Sequence, residues 1–159
     1  MYKYIMLLII TMFCIPAGAQ KNKDKAAINA VITTFFEGLH NGDSTLVSKT
    51  LHRDVKIQTT YTNKEGEKIL LNQSKQKLLL GIASKKKTDI HLEKLLSYTI
   101  KVDGNLASVW TPYEFYLNTK FSHCGANSFQ LFNNNGSWEI IYLVDMRRRE
   151  FCNVSEVKK

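Results

Sequence analysis

HLEKLLSYTIKVDGNLASVWTPYEFYLNTKFSHCGANSFQLFNNNGSWEIIYLVDMRRR, residues 91–149, reads as four long strands in succession. The spans are His91–Val102, Leu106–Leu117, Phe121–Phe132 and Ser137–Arg149. Asp103-Gly104, Asn118-Thr119 and Asn135-Gly136 sit at the joints, and such pairs accept the positive φ that two-residue hairpin turns demand. Four antiparallel strands make a sheet with one face to bury, and the first half of the chain must cover it. That half is largely helical, which gives an α+β domain with helices packed on a mainly antiparallel sheet.

The first helix is carried by Ile28, Val31, Ile32, Phe35 and Leu39, one apolar stripe at three- and four-residue spacing. Asp24 is its expected N-cap, and Gly38 with Asn41-Gly42 its stop. Asp43 caps a short second helix through Leu46, Val47 and Leu51. A strand over Val55–Tyr61, a turn at Asn63–Gly66 and a return strand over Glu67–Leu71 follow. A third helix over Ser74–Ser84 ends in Lys85-Lys86-Lys87, cations that suit a helix C-terminus.

Pro112 lies inside the second long strand, where it cannot donate to a ladder. Ala107 and Val109 look inward, but beyond the proline two sets compete, Tyr113/Phe115/Leu117 and Glu114/Tyr116. A β-bulge at Thr111-Pro112 would flip the register and bend the sheet strongly, turning a flat sandwich into a cone with an open mouth.

Upstream of the fold, Lys3, the apolar run Ile5–Ile15 and the small residues Ala17-Gly18-Ala19 form a signal peptide over residues 1–19. The mature chain, residues 20–159, is then one domain of about 140 residues, enough for a real core. It is expected to be periplasmic or secreted. The formal net charge is +8, with scattered lysines supplying most of it. Outside the cell that argues against nucleic acid and for a solubilising or envelope-facing surface. No second apolar run of about twenty residues exists, so no transmembrane segment is expected in the mature chain. Cys124 and Cys152 remain after cleavage, and an oxidising compartment permits a disulfide between them, provided Cys152 folds back by a few residues.

The element order, with Phe35-Phe36, Gly42-Asp43, Leu51-His52-Arg53-Asp54-Val55 and Gly136-Ser137-Trp138-Glu139-Ile140, resembles the nuclear transport factor 2-like superfamily. Trp110–Tyr116, Phe121–Gly125 and Asp145–Arg149 more particularly resemble its exported bacterial branch, named putative lumazine-binding proteins. The resemblance implies a conical α+β domain, a pocket between the first helices and the concave sheet face, and a homodimer through the outer face. It carries no one activity, since the superfamily hosts isomerases, cyclases, dehydratases and non-catalytic binding modules.

Counting back from the Asn118-Thr119 turn sets Glu114 opposite His123, an acid/base couple if the protein is an enzyme. A structural His–Glu contact at the rim is the plainer alternative. Parity on the last hairpin places His123, Asn127 and Phe129 on one face with Trp138, Ile140 and Tyr142. Cys124, Asp145 and Arg147 then fall on the other. Trp110, Tyr116, Phe129 and Tyr142 are the expected pocket walls, with Asn127 orienting the ligand. Asp145 and Arg147 are candidates for an anion clamp or a simple ion pair. No histidine pair has metal-ligand spacing, and no cofactor fingerprint occurs. Three functions stay open: binding of an unidentified small molecule, cofactor-free isomerisation or dehydration through His123 and Glu114, and a dimeric interaction module.

Overall fold

The computed structural model describes residues 17–152. The expected leader lies outside them except for its last three residues, which begin α1. Three helices, α1 (Ala17–Asn41), α2 (Ser44–Thr50) and α3 (Lys75–Ala83), accompany seven strands in one sheet. The strands are β1 (Leu51–Thr62), β2 (Lys68–Gln73), β3 (His91–Leu95), β4 (Thr99–Asp103), β5 (Leu106–Leu117), β6 (Lys120–Asn134) and β7 (Ser137–Arg148). The order is β2-β1-β7-β6-β5-β3, with β4 also on β5, and every pair is antiparallel except β1 with β7.

The helix starts and stops follow local chemistry. Asp43 accepts from the Leu46 amide at 2.8 Å and Ser74 from the Lys77 amide at 3.1 Å, capping α2 and α3. α1 begins upstream of Asp24, so that residue is not its N-cap; inside the helix it accepts from Gln20 at 3.1 Å. α1 ends at Asn41, where Gly42 takes a φ of 72°. Gly38 lets α2 close onto α1, because a Cβ there would stand 2.7 Å from Val47 Cγ2. Ile28, Ile32, Phe35 and Phe36 of α1 pack on Val109, Phe129, Leu131, Ile140 and Leu143, forming the core between helices and sheet. Phe129 is the hub, meeting Phe35 and Phe36 edge-on at 5.8 and 6.1 Å.

Three register features differ from the sequence expectation. The stretch from His91 to Val102 is two strands, interrupted at Leu96–Tyr98. The break faces Pro112: its carbonyl accepts from the Leu96 amide at 2.9 Å, so its missing N–H points to the same neighbour. The proline therefore splits the adjoining strand and puts no bulge in its own, since β5 pairs continuously with β6 from Leu106 to Phe115. Bulges occur elsewhere, at Ser122 in β6 and at Ile141 in β7. Each flips the parity beyond it.

Candidate functional site

Alternation fixes which side chains share the inner face. Val109, Phe129, Leu143 and Ile57 form one row across β5, β6, β7 and β1, buried beneath α1. The next row is Thr111, Asn127, Asp145 and Thr59, and the one beyond is Tyr113, Gly125, Arg147 and Tyr61. A last row joins Glu93, Phe115 and His123. The inner face thus turns from apolar to polar within two residues. His40, one residue before the end of α1, meets it there, its Nε2 accepting from the Glu93 amide at 2.9 Å.

These polar groups are tied together. Asn127 Nδ2 donates to Glu93 Oε1 at 2.6 Å, and Thr59 Oγ1 donates to Asp145 Oδ1 at 2.6 Å. Arg147 closes on Asp145 through Nε and reaches it again through Nη2 at 3.4 Å. The buried Tyr113 ring crosses β6 over Gly125, and its hydroxyl lies 3.4 Å from the Met146 carbonyl and is hydrogen-bonded to the Asp145 side chain as well. Only glycine permits that path: a Cβ at Gly125 would overlap the Met146 oxygen and stand 2.8 Å from the Tyr113 hydroxyl. Thr111 is 0% exposed and its hydroxyl has no hydrogen-bond partner among the described residues. A buried hydroxyl left unpaired costs about 1–3 kcal/mol, so it marks a place where something polar is wanted.

Burial, opposed by the Asn127 bond and helped by the Asp145 charge, pushes the Glu93 carboxyl up to about 7. Burial and the Arg147 charge bring His123 down to about 4, leaving a neutral ring stacked on Phe115 at 4.8 Å. Burial, and then the Lys85 charge, also lower His40. Burial holds the Tyr113 phenol well above its usual value, so it keeps its proton. A carboxyl that titrates near neutrality beside a fixed phenol and an amide can accept or donate a proton, or take either role toward a ligand.

Several expected site residues lie elsewhere. Glu114 does not face His123: it pairs with Cys124, and His123 pairs with Phe115, because Ser122 is the extra residue in β6. Glu114 therefore points to the outer face, where it accepts from Tyr116 at 2.8 Å and meets Lys94 at 3.8 Å. Trp110, half exposed, and Tyr116 share that outer parity and are not walls of an inner pocket. Tyr142 is outward too, opposite Gln130 and bonded to Gln58, because the Ile141 bulge separates its parity from Ile140. The same bulge brings Asp145 and Arg147 onto the inner face rather than the outer. Asn127 stands in the polar site, whereas Phe129 is sealed in the core beneath α1. Cys124 and Cys152 are joined by a disulfide, with Cα atoms 5.9 Å apart.

Sequence reasoning missed Glu93, Thr111, Tyr113 and the inward turn of Asp145. Simple alternation from Val109 would have found Thr111 and Tyr113 had Pro112 not been read as a bulge. Two open hollows share no residue with the polar rows. One, of about 460 Å³, lies against Leu79 and Leu80 of α3, and the other, of about 580 Å³, against Asp24, Asp103 and Asn133. Among the described residues no His, Cys, Asp and Glu group could hold a metal ion, and no helix is long and apolar enough to cross a membrane.

A sequence model of the family described as putative lumazine-binding matches residues 23–144. Many solved structures share the fold. A nuclear transport factor 2-like protein of unknown function from Shewanella baltica has 16% identity and a TM-score of 0.59, covering 80% of this chain and 95% of its own. A nuclear transport factor 2-like protein with a cystatin-like fold from Novosphingobium aromaticivorans has 14% identity and a TM-score of 0.63, covering 82% and 85%. A protein described as a putative dehydratase of the same superfamily, from Streptomyces avermitilis, has 11% identity and a TM-score of 0.62, covering 80% and 98%. At these identities the likeness is one of fold. No curated protein matches the sequence.

Proposed function

From the premise that the chain belongs to the putative lumazine-binding family of the nuclear transport factor 2-like superfamily, we propose that it is an exported small-molecule-binding domain. Its ligand sits against the polar rows of the inner face. The observation that carries this is the Thr111 hydroxyl, wholly buried and without a partner among the described residues, between Asn127 and the apolar core. Asn127, Glu93 and Tyr113 would orient the ligand, and Phe115, with His123 stacked on it, offers a flat wall. The family name suggests a flat heterocycle, and a ring lying on Phe115 with its polar edge toward Asn127 suits that shape.

Native mass spectrometry of protein purified from its own host tests the reading. A small molecule retained by the wild type and lost from Thr111→Val supports it; an empty protein under conditions that keep it folded counts against it. Export rests on the leader at residues 1–19, and N-terminal sequencing should begin at Gln20. Recovery of Met1 on exported protein would refute the cleavage.

A second reading has its own support. Glu93, titrating near 7 beside Tyr113, is suited to move a proton in an isomerisation or dehydration. It replaces His123 and Glu114, which lie on opposite faces. Turnover of an enolisable ketone that Glu93→Gln abolishes would establish it.

A further inference from the structure

Where β6 begins and β7 finishes, the outer face carries exposed rings and cations that the inner rows do not use. Tyr116 and Phe121 are opposite one another there, their rings edge-on at 5.8 Å, and Phe121 is 36% exposed. The adjoining outer row runs Glu114, Cys124 and Arg148, and beyond it on the β1–β2 hairpin Thr62 pairs with Lys68. The disulfide draws residues 149–152 back over this row: Cys152 is joined to Cys124, and its sulfur lies 3.8 Å from the Arg148 carbonyl. Phe151 is therefore tethered at the surface by the very next residue. It is 90% exposed, and its φ of 54° is a left-handed backbone that a bulky side chain rarely adopts.

A single exposed ring is ordinary. Here the ring stands among cations that have no counter-charge. Lys68, Lys120, Arg148 and Arg149 are all exposed, and none of them makes an ion pair among the described residues. Arg147 and Lys94 are committed, to Asp145 and to the buried Glu114. Glu150 is the exposed carboxylate of the tethered segment and offsets one charge, so this end of the sheet stays positive. The chain as a whole has a formal net charge of +8. Cations without partners are drawn to a negative surface, and aromatic rings settle where one side is apolar and the other wet. Phe151 projects from the surface and lines no hollow, so its partner must receive the ring. A folded protein would need a matching pocket for it; the headgroup region of a bilayer accepts a ring anywhere.

We infer that this end of the sheet docks the protein on an anionic phospholipid surface, with Phe151 and the exposed edge of Phe121 entering the headgroup region and Lys68, Lys120, Arg148 and Arg149 lying over the lipid phosphates. Each cation held near such a surface strengthens binding about fivefold, and burying the Phe151 ring about tenfold. A few signals of that size give reversible, peripheral attachment. The inference stands apart from the ligand reading above, because none of these residues belongs to the inner rows. The docking end also lies away from Leu106 and Phe132, which pair at the far end of β5 and β6.

Sedimentation with lipid vesicles tests it. The full mature protein is mixed with vesicles of phosphatidylglycerol and phosphatidylcholine in equal parts, or of phosphatidylcholine alone, at low and at high salt. Binding should appear on the anionic vesicles only and fall about tenfold or more at high salt, where the surface charge is screened. Phe151→Ser should weaken it about tenfold and Arg148→Gln about fivefold, with both variants melting like wild type. Phe151→Trp should gain a blue-shifted emission over the wild-type spectrum when anionic vesicles are added. Dextran sulfate, a soluble polyanion, should bind through charge alone and be indifferent to Phe151→Ser. No binding to anionic vesicles, or equal binding to neutral ones, would overturn the inference. So would a Phe151→Ser variant that binds vesicles like wild type, or one that loses dextran sulfate as strongly as vesicles, since the ring would then not be entering lipid. Should the serine variant not fold, an emission from Phe151→Trp that stays unshifted on anionic vesicles overturns it just as well.

Discussion

At the scale of single residues, Glu93 and His123 are shifted in opposite directions by the same burial, and the two effects can be separated by pH. The Glu93 carboxyl rises from 4.5 to about 7, so the folded protein binds its proton more tightly than the unfolded chain between those values. Its contribution is full below about pH 4.5 and is lost as pH rises toward 7. His123 falls from 6.5 to about 4, so the folded protein resists a proton that the unfolded chain accepts. Its contribution is full above 6.5 and is lost as pH falls toward 4. Relative to wild type, Glu93→Gln should therefore gain stability as pH rises through 4.5–7, and His123→Phe should gain it as pH falls through 6.5–4. Each differential should reach about 1–3 kcal/mol, allowing for partial solvent access. Thermal melts across pH 4–8 for the three proteins check this, and slopes of the same sign in both variants would refute it.

At the scale of elements, Gly125 decides how β6 lies between Tyr113 and β7. Its missing Cβ leaves room for the Tyr113 ring and for the Met146 carbonyl oxygen, which is backbone and cannot move alone. Gly125→Ala should destabilise the fold by about 2–4 kcal/mol, the range of an overpacked core position with a backbone shift. It should also displace Tyr113 from the polar rows, so near-ultraviolet circular dichroism should change along with the melting temperature. An alanine variant that melts like wild type would mean the strand spacing relaxes freely there. Gly81, with no atom within 4 Å of its absent Cβ, is the control: alanine there, inside α3, should be neutral or stabilising by up to about 1 kcal/mol.

At the scale of the whole molecule, the disulfide ties the segment after β7 back to β6 across a sequence separation of 28 residues. Closing a loop of that length restricts the unfolded chain enough to stabilise the fold by about 3–4 kcal/mol. Melting with and without reductant should show that loss, while Cys124→Ala/Cys152→Ala should melt like the reduced protein. The outer sheet face bears on assembly. Trp110 is 50% exposed and Leu92 45%, and both lie outward, with Tyr142 and Phe132 on the same face. Leu143 does not contribute, because it is buried in the core. A homodimer through this face is the expected state, and light scattering at tens of micromolar (about the range of weak dimers) should return twice the chain mass. Trp110→Lys should convert it to monomer without unfolding it.

The elements themselves were legible in the chain. Asp43, Ser74 and the turn pairs Asn118-Thr119 and Asn135-Gly136 act through neighbours a few residues away, so local sequence determines the caps and hairpins they form. The apolar stripe of α1 and the α+β class followed from periodicity for the same reason. What faced what was not legible. Whether Tyr142, Asp145 and Arg147 point inward depends on one extra residue, Ile141, and whether Glu114 meets His123 depends on Ser122. A bulge is chosen by the fit of two paired strands and the core beneath them, and neither strand announces it alone. The proline shows the same limit from the other side: its missing N–H was certain from sequence, but only pairing revealed that the gap falls on β3–β4 and splits that strand. Local chemistry fixed the elements and their ends; the tertiary register alone gathered Glu93, Thr111, Tyr113, Asn127, Asp145 and Arg147 onto one face, because parity is a property of the assembled sheet.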